Sequence, residues 1–267
     1  MLRTLWCRKF NLFRYVPNLD LMPDCSRVCT GIVRSSYGTH LLEHLSAIHV
    51  GNGDYSADVM GDAYEYLIKQ FAEIAKKTGG EFYTPRAVVK LLVKILDPKA
   101  GNTVYDPTCG TGGMLIESIH HMQDQKLSYG KIFGQEVNPS TAAIARMNLF
   151  LHGAQEFNIE QGETLRNPRF TKAGKLKTFD CVIANPPFGL SEWGAAMFAN
   201  DPYGRNIWGC PTDSNADYAW LQHMVQSMDP KTGKCTVILP QGVLFHGGKE
   251  GDILLDLATD LARMPPV

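Results

Sequence analysis

Five short apolar runs constrain this chain more than anything else in it: TVYDP (103–107), KIFGQEV (131–137), NIEQGE (158–163), FDCVIANPP (179–187) and CTVILP (235–240). Each is too short for a helix, and helical patterns stand between most of them. AVVKLLVKIL precedes the first, GMLIESIHHM and STAAIARMNLFLHG follow the first and second, and DYAWLQHMVQSM (217–228) precedes the fifth. Strands alternating with helices predict an α/β fold built on a doubly wound, mostly parallel sheet. Ligands of such sheets bind beyond the carboxyl ends of the strands, so functional side chains are expected just after each run. Asp106 with the turn to Gly113, Glu136, Glu163, and Asn185 to Phe188 all hold that place.

Upstream the signals thin out. Residues 1–38 carry no useful periodicity and form a lead-in; four basic residues without an acid among the first 19 resemble a transit peptide, but serine and an apolar block are missing. Residues 39–79 form a short helical N-terminal region, in which Val59, Ala63, Leu67, Phe71, Ile74 and Ala75 share a face before Thr78-Gly79-Gly80 ends the helix. The α/β domain then occupies 80–267, with Thr84 as cap and Pro85 as first helical residue of its opening helix.

Composition excludes several classes. At 267 residues and net charge −1, no basic excess advertises nucleic-acid binding, so any grip on DNA is borrowed from a partner or a local patch. Seven cysteines, scattered and without a CxxC pair, predict free thiols in a reducing, cytoplasmic setting and no metal site. No run of 18 apolar residues predicts a membrane span.

The glycine turn DPTCGTGG (106–113) lets a ligand approach its backbone at Gly110, Gly112 and Gly113. Such turns also serve purely steric ends. Asp106 at the strand tip would repel a phosphate and attract an ammonium group. That selects a cofactor with a cationic end, and S-adenosylmethionine has one without any phosphate. Glu136 at the next strand tip suits the ribose hydroxyls, and Glu163 suits an adenine amino group. An acid at a strand end is also met as a solvated residue or a helix cap.

Asn185-Pro186-Pro187-Phe188 ends the fourth run. Two prolines remove two donors and fix φ twice, which stops the strand and stiffens the corner. An exocyclic amino nitrogen is a poor nucleophile because its lone pair is delocalised. The Asn185 amide oxygen and the Pro186 carbonyl, both accepting from it, would draw it toward a tetrahedral form. Phe188 offers a stacking face, worth roughly 1–3 kcal/mol per base against the few kcal/mol that flipping a base costs.

Several of these segments together resemble one family. GEFYTPRAVV (80–89), YDPTCGTGGML (105–115), GQEVNPSTAAIARMNLFLHG (134–153), ANPPFG (184–189), SNADYAWLQHM (214–224) and LPQGVLFHGG (239–248) are similar to the modification subunit of type I restriction-modification systems, an adenine-N6 DNA methyltransferase. The resemblance implies a Rossmann-like, S-adenosylmethionine-dependent catalytic domain acting on DNA with a specificity subunit and a restriction subunit. It implies that Glu81, Phe82, Tyr83, Thr84 and Pro85 lie over the methionine part of the cofactor. It further implies that Asp106, Thr108, Gly110, Thr111, Gly112 and Gly113 form the cofactor loop, and that Asn185 to Phe188 hold the target adenine. Where the family has aspartate this chain has Glu163.

The family continues beyond the point at which this pattern fades, after Gly251, so the catalytic domain reads as C-terminally incomplete. An open sheet edge and an uncovered apolar face are expected there. Methylation of a protein glutamine amide, or a silent remnant that binds cofactor or a partner subunit, are the competing readings. The segment 189–216 is long and aperiodic and reads as a mobile flap beside the base pocket, with Trp193, Tyr203, Arg205 and Trp208 as candidate DNA contacts.

Overall fold

The computed structural model of the protein describes Tyr66, residues 84–125 and residues 130–263. Apart from Tyr66, which is helical and exposed, the expectations for residues 1–79 and for Glu81, Phe82 and Tyr83 lie outside the described residues.

Helix α1 (Arg86–Leu96) buries Val89, Leu92, Val93 and Leu96 on one stripe and stops at Asp97, whose backbone turns left-handed while its N–H bonds the Val93 carbonyl. Its start differs from expectation. Pro85 is the residue before the helix, its carbonyl accepting from the N–H groups of Val88 and Val89, and no side chain caps the helix. The Thr84 hydroxyl is occupied elsewhere, as described below.

Strand β1 (Val104–Asp106) follows, then α2 (Gly113–Asp124), β2 (Ile132–Glu136) and α3 (Pro139–Leu151). The sequence places the start of α3 correctly. Asn138 Oδ1 accepts from Ser140 N and Thr141 N, and Pro139 sits where its missing N–H costs nothing. Strand β3 (Phe157–Gln161) ends two residues before Glu163. A small antiparallel hairpin, β4 (Thr171–Lys172) and β5 (Lys175–Leu176), which lacks an alternating apolar signal, leads into β6 (Cys181–Ala184). The short α4 (Ala195–Phe198), α5 (Asp217–Gln226), β7 (Lys234–Val237), a 3-10 turn (Gln241–Phe245) and α6 (Gly248–Arg263) complete the order.

The main sheet runs β3-β2-β1-β6-β7, and every pairing in it is parallel. Val104 pairs with Ile132 on one side and Cys181 on the other, so β1 is central and the strand order reverses between β1 and β6. That reversal opens a crevice above the ends of these two strands, where Asp106 and Asn185 stand.

Successive strand residues feed opposite faces of the sheet. Val104, Ile132, Ile159, Cys181 and Ile183 pack with the apolar stripes of α1, α2 and α3. Tyr105, Phe133, Val182 and Ala184 pack with α5 and α6. The four described cysteines, Cys109, Cys181, Cys210 and Cys235, are free thiols. Among the described residues no helix is long and apolar enough to cross a membrane.

The expected uncovered face at the β7 end is not found. Helix α6 lays Ile253 and Leu257, each 3% exposed or less, onto the cluster that holds Tyr218, Val243 and the inner residues of β6. The charged residues spaced along DILLDLATDLAR hide an amphipathic stripe, which is why the pattern looked faded. The edge itself is as expected: among the described residues no strand pairs with the outer side of β7, and its residues are half-buried.

Leu257→Ala is expected to destabilise the protein by about 2–4 kcal/mol in urea denaturation. A loss below about 0.5 kcal/mol, the size of a surface substitution, would show that α6 does not cover this face.

Candidate active site

The turn after β1 is built to come close to its surroundings. Gly110 and Gly112 have φ of +52° and +85°, and Gly112 starts α2 from a left-handed conformation that L residues rarely adopt. Below it, a Cβ on Gly134 of β2 would stand 2.9 Å from Cys109 Sγ and 2.7 Å from Ile159 Cδ1, so only glycine lets the loop settle onto the sheet. Above it, a Cβ on Gly110 or Gly113 would meet nothing within 4 Å, and both residues line a cavity.

Thr84, Asp106, Thr108, Gly110, Thr111, Gly113 and Asn185 meet at that one cavity, and all seven are legible in the sequence. Asp106 is 2% exposed. Its Oδ1 accepts from Thr108 N at 2.9 Å. Burial pushes its carboxyl up from 3.8 to about 7; the Thr108 N–H opposes this and the like charge of Glu136 adds to it. A cation placed against Asp106 would relieve that cost, and this is the fit expected of an ammonium group.

Glu136 reaches the loop from the tip of β2. Its two oxygens accept from Gly110 N at 3.0 Å and Asn138 N at 2.8 Å, which holds the glycine turn against the start of α3.

Asn185 follows the last residue of β6. Its Nδ2 donates to Thr84 Oγ1 at 2.8 Å, while its Oδ1 is buried and has no hydrogen-bond partner. The amide is thus oriented by its nitrogen, and its oxygen is left as an unspent acceptor. Pro186 is buried, Pro187 exposed, and Phe188 presents its ring to solvent at 46% exposure. Asp217, buried at the start of α5, accepts from Gly189 N at 3.0 Å and pins the far end of the corner.

Neither Glu136 nor Glu163 is among the residues that line this cavity, and Glu163 does not touch the glycine loop either. Its oxygens accept from Leu165 N at 3.1 Å and Arg166 N at 2.7 Å, capping the turn that follows β3. Free N–H groups of that tight turn lie within two or three residues, so they reach the carboxylate before any distant group.

The segment 189–216 is not a loose flap either. Trp193 is 2% exposed and donates from Nε1 to Thr212 O; Trp208 donates to Asp260 of α6 at 2.8 Å. Arg205, fully buried, pairs with Asp201 at 2.6 Å and donates to the carbonyls of Thr164 and Leu165. Tyr203 lies beside that guanidinium. Because a guanidinium only donates, His223 Nδ1, 3.3 Å from Arg205, accepts, and its Nε2–H points to Tyr105 Oη at 3.1 Å. Burial first and Arg205 second hold the His223 ring neutral. Thr164 Oγ1 in turn donates to Pro107 O at 2.7 Å, so this buried network braces the loop that carries Asp106.

Arg86, Val89, Cys109, Met114, Glu117 and Asn148 also line the cavity and were not singled out in the sequence. Cys109 lies in the glycine turn itself, and the other five sit on helices α1, α2 and α3, where their spacing reads as ordinary core or surface. Asn148 alone left a signal, a polar residue inside the buried stripe Ala142, Ala145, Leu149.

The family described as N-6 DNA Methylase matches residues 55–261. The chain belongs to the N-6 DNA methylase family. It is 34% identical over 239 residues to the type I restriction enzyme MjaIX methylase subunit of Methanocaldococcus jannaschii, covering 85% of this chain and 42% of that protein. It is 31% identical over 247 residues to the EcoKI methylase subunit of Escherichia coli, covering 86% and 45%. The crystal structure of a type I restriction-modification methyltransferase subunit from Streptococcus thermophilus superposes with a TM-score of 0.72 at 34% identity, over 84% of this chain and 47% of that one. The chain therefore spans less than half the length of these relatives. Its fold is the Rossmann-like one of S-adenosylmethionine-dependent methyltransferases.

The raised pKa of Asp106 carries a stability cost with a definite sign. Between 3.8 and about 7 the folded state holds a proton that the unfolded state has lost, so stability falls as pH rises through that window. Asp106→Asn keeps the acceptor for Thr108 N and removes the titration. Urea denaturation at about pH 8 is expected to show a gain on the order of a few kcal/mol, with little change at about pH 4. Equal stability of the two proteins at the higher pH would show that Asp106 ionises like an exposed carboxyl.

Proposed function

We propose that this chain transfers a methyl group from S-adenosylmethionine to the N6 amino group of adenine in DNA, as the modification subunit of a type I restriction-modification system. In this role it works with a specificity subunit that supplies sequence recognition and with a restriction subunit. The buried, unpartnered Oδ1 of Asn185 carries the reading, because a hydrogen-bond acceptor kept out of water beside a cavity needs a donor to justify it. Membership of the N-6 DNA methylase family and the names of the type I relatives support the substrate and the partners.

When bound, S-adenosylmethionine supplies an electrophilic methyl group on a sulfonium. The chain's own residues do the rest by placement. Asp106 holds the ammonium end, and the open surfaces of Gly110 and Gly113 admit it against the backbone. Glu136 at the end of β2 accepts from the ribose hydroxyls beside the loop it already steadies. Asn185 Oδ1 and the Pro186 carbonyl accept from the two N6 hydrogens, which pulls lone-pair density out of the ring and onto the nitrogen. Phe188, half-exposed, stacks on the flipped base. Thr84 fixes the Asn185 amide so that its oxygen, not its nitrogen, faces the amino group. Holding both reactants in line is then the main source of rate.

The test is a transfer assay with methyl-labelled S-adenosylmethionine, duplex DNA and the specificity subunit, followed by digestion to nucleosides. Label is expected in N6-methyladenine; label in protein, or cofactor binding with no transfer, would contradict the proposal. Asn185→Ala is expected to lower transfer by about 100-fold or more, in the range of removing one oriented catalytic hydrogen bond. Cofactor affinity should stay within about threefold, less than the worth of one typical hydrogen bond. Equal loss of both would remove Asn185 from the amino-group site.

A further inference from the structure

Asn148 stands out among the residues that line the cavity. It is 1% exposed, among the buried residues of α3, which also include Thr141, Ala142, Ala145 and Leu149. One turn earlier, Ala145 is what a Cβ on Gly112 would touch, at 3.7 Å, so helix and glycine loop are packed closely there. Asn148 extends that contact: its Nδ2 donates to Thr111 O at 3.0 Å. Its Oδ1 is buried and has no hydrogen-bond partner. Leucine would fill such a position without leaving an acceptor unsatisfied, and an amide that only braced the loop would use its nitrogen and leave its oxygen idle.

We infer that Asn148 is a ligand-contacting residue, whose Oδ1 accepts a hydrogen bond from the α-ammonium of S-adenosylmethionine while its Nδ2 holds the Thr111 carbonyl. The inference rests on the cofactor reading above and deepens it. Asp106 supplies the charge that attracts the ammonium, and Asn148 supplies a second, neutral acceptor that fixes the direction of the C–N bond. A protonated amine has three hydrogens to place, so two acceptors from different elements are compatible with one amine.

Calorimetric titration of the full chain separates this role from simple bracing. The probes are S-adenosylhomocysteine and its analogue with hydrogen in place of the α-amino group. Asn148→Ala is expected to weaken S-adenosylhomocysteine about tenfold or more, the range for a hydrogen bond to a charged group. The deaminated analogue should change by no more than about threefold, within the worth of a bracing contact. Equal weakening of both ligands would overturn the assignment and leave Asn148 a bracing residue. Asn148→Asp serves if the alanine variant does not fold: it keeps the acceptor and gives up the donor, so preference for the amino-bearing ligand is retained or enlarged. A fall in that preference would overturn the assignment as well. If the unaltered protein binds neither probe, the cofactor reading itself fails and takes this inference with it.

Discussion

The structure turns on one unfavourable placement, a carboxyl group buried at the tip of the central strand. Asp106 ends β1, with a strand paired on each side, and almost none of it reaches water. Burying an unpaired charge is among the costliest things a fold can do, and the group answers by holding its proton up to about pH 7. Much of the surrounding architecture keeps that carboxyl where it is. The Thr108 N–H donates to it locally, Glu136 ties down Gly110, and the Thr164 hydroxyl holds the Pro107 carbonyl.

The Asn185 corner is held by the same logic of partial satisfaction. Its nitrogen is anchored on Thr84, its following glycine on Asp217, and its prolines admit little backbone freedom. What remains is an unpartnered amide oxygen and a buried carboxyl, on two residues that line the same cavity. A site with its geometry fixed and its strongest acceptors left over is preorganised for donors that arrive with the reactants. Stability gained by removing Asp106 would then be gained at the expense of binding, the usual exchange at functional sites.

Much of this was legible in the sequence because the signals were local. Proline after Asn138 starts a helix wherever it stands, a glycine turn after an apolar run reads as a strand-to-helix loop, and two prolines after Asn185 end a strand without help from elsewhere. The failures are tertiary. Glu163 looks equivalent to Glu136, but Glu136 ends its strand and reaches the glycine loop at Gly110, whereas Glu163 lies two residues beyond its strand and bonds only within its own turn among the hydrogen bonds described. Trp193, Arg205 and Trp208 lack periodicity because their partners are far away in the chain, Thr164 and Asp260 among them. No spacing rule announces that a buried arginine will brace a loop 98 residues upstream through Thr164 and Pro107. Helix α6 was obscured for the opposite reason: its acids are regular enough to hide the stripe beneath them.

The ionisation of Asp106 itself is the most direct measurement. Its side-chain carboxyl, followed by carbon-detected nuclear magnetic resonance across a pH titration, is expected to titrate near 7 in the free protein. With saturating S-adenosylhomocysteine it should fall to between about 4 and 6, as a cation against a carboxylate lowers its pKa by about one to three units. A value near 3.8 in the free protein, or one that does not move when the ligand binds, would contradict the account.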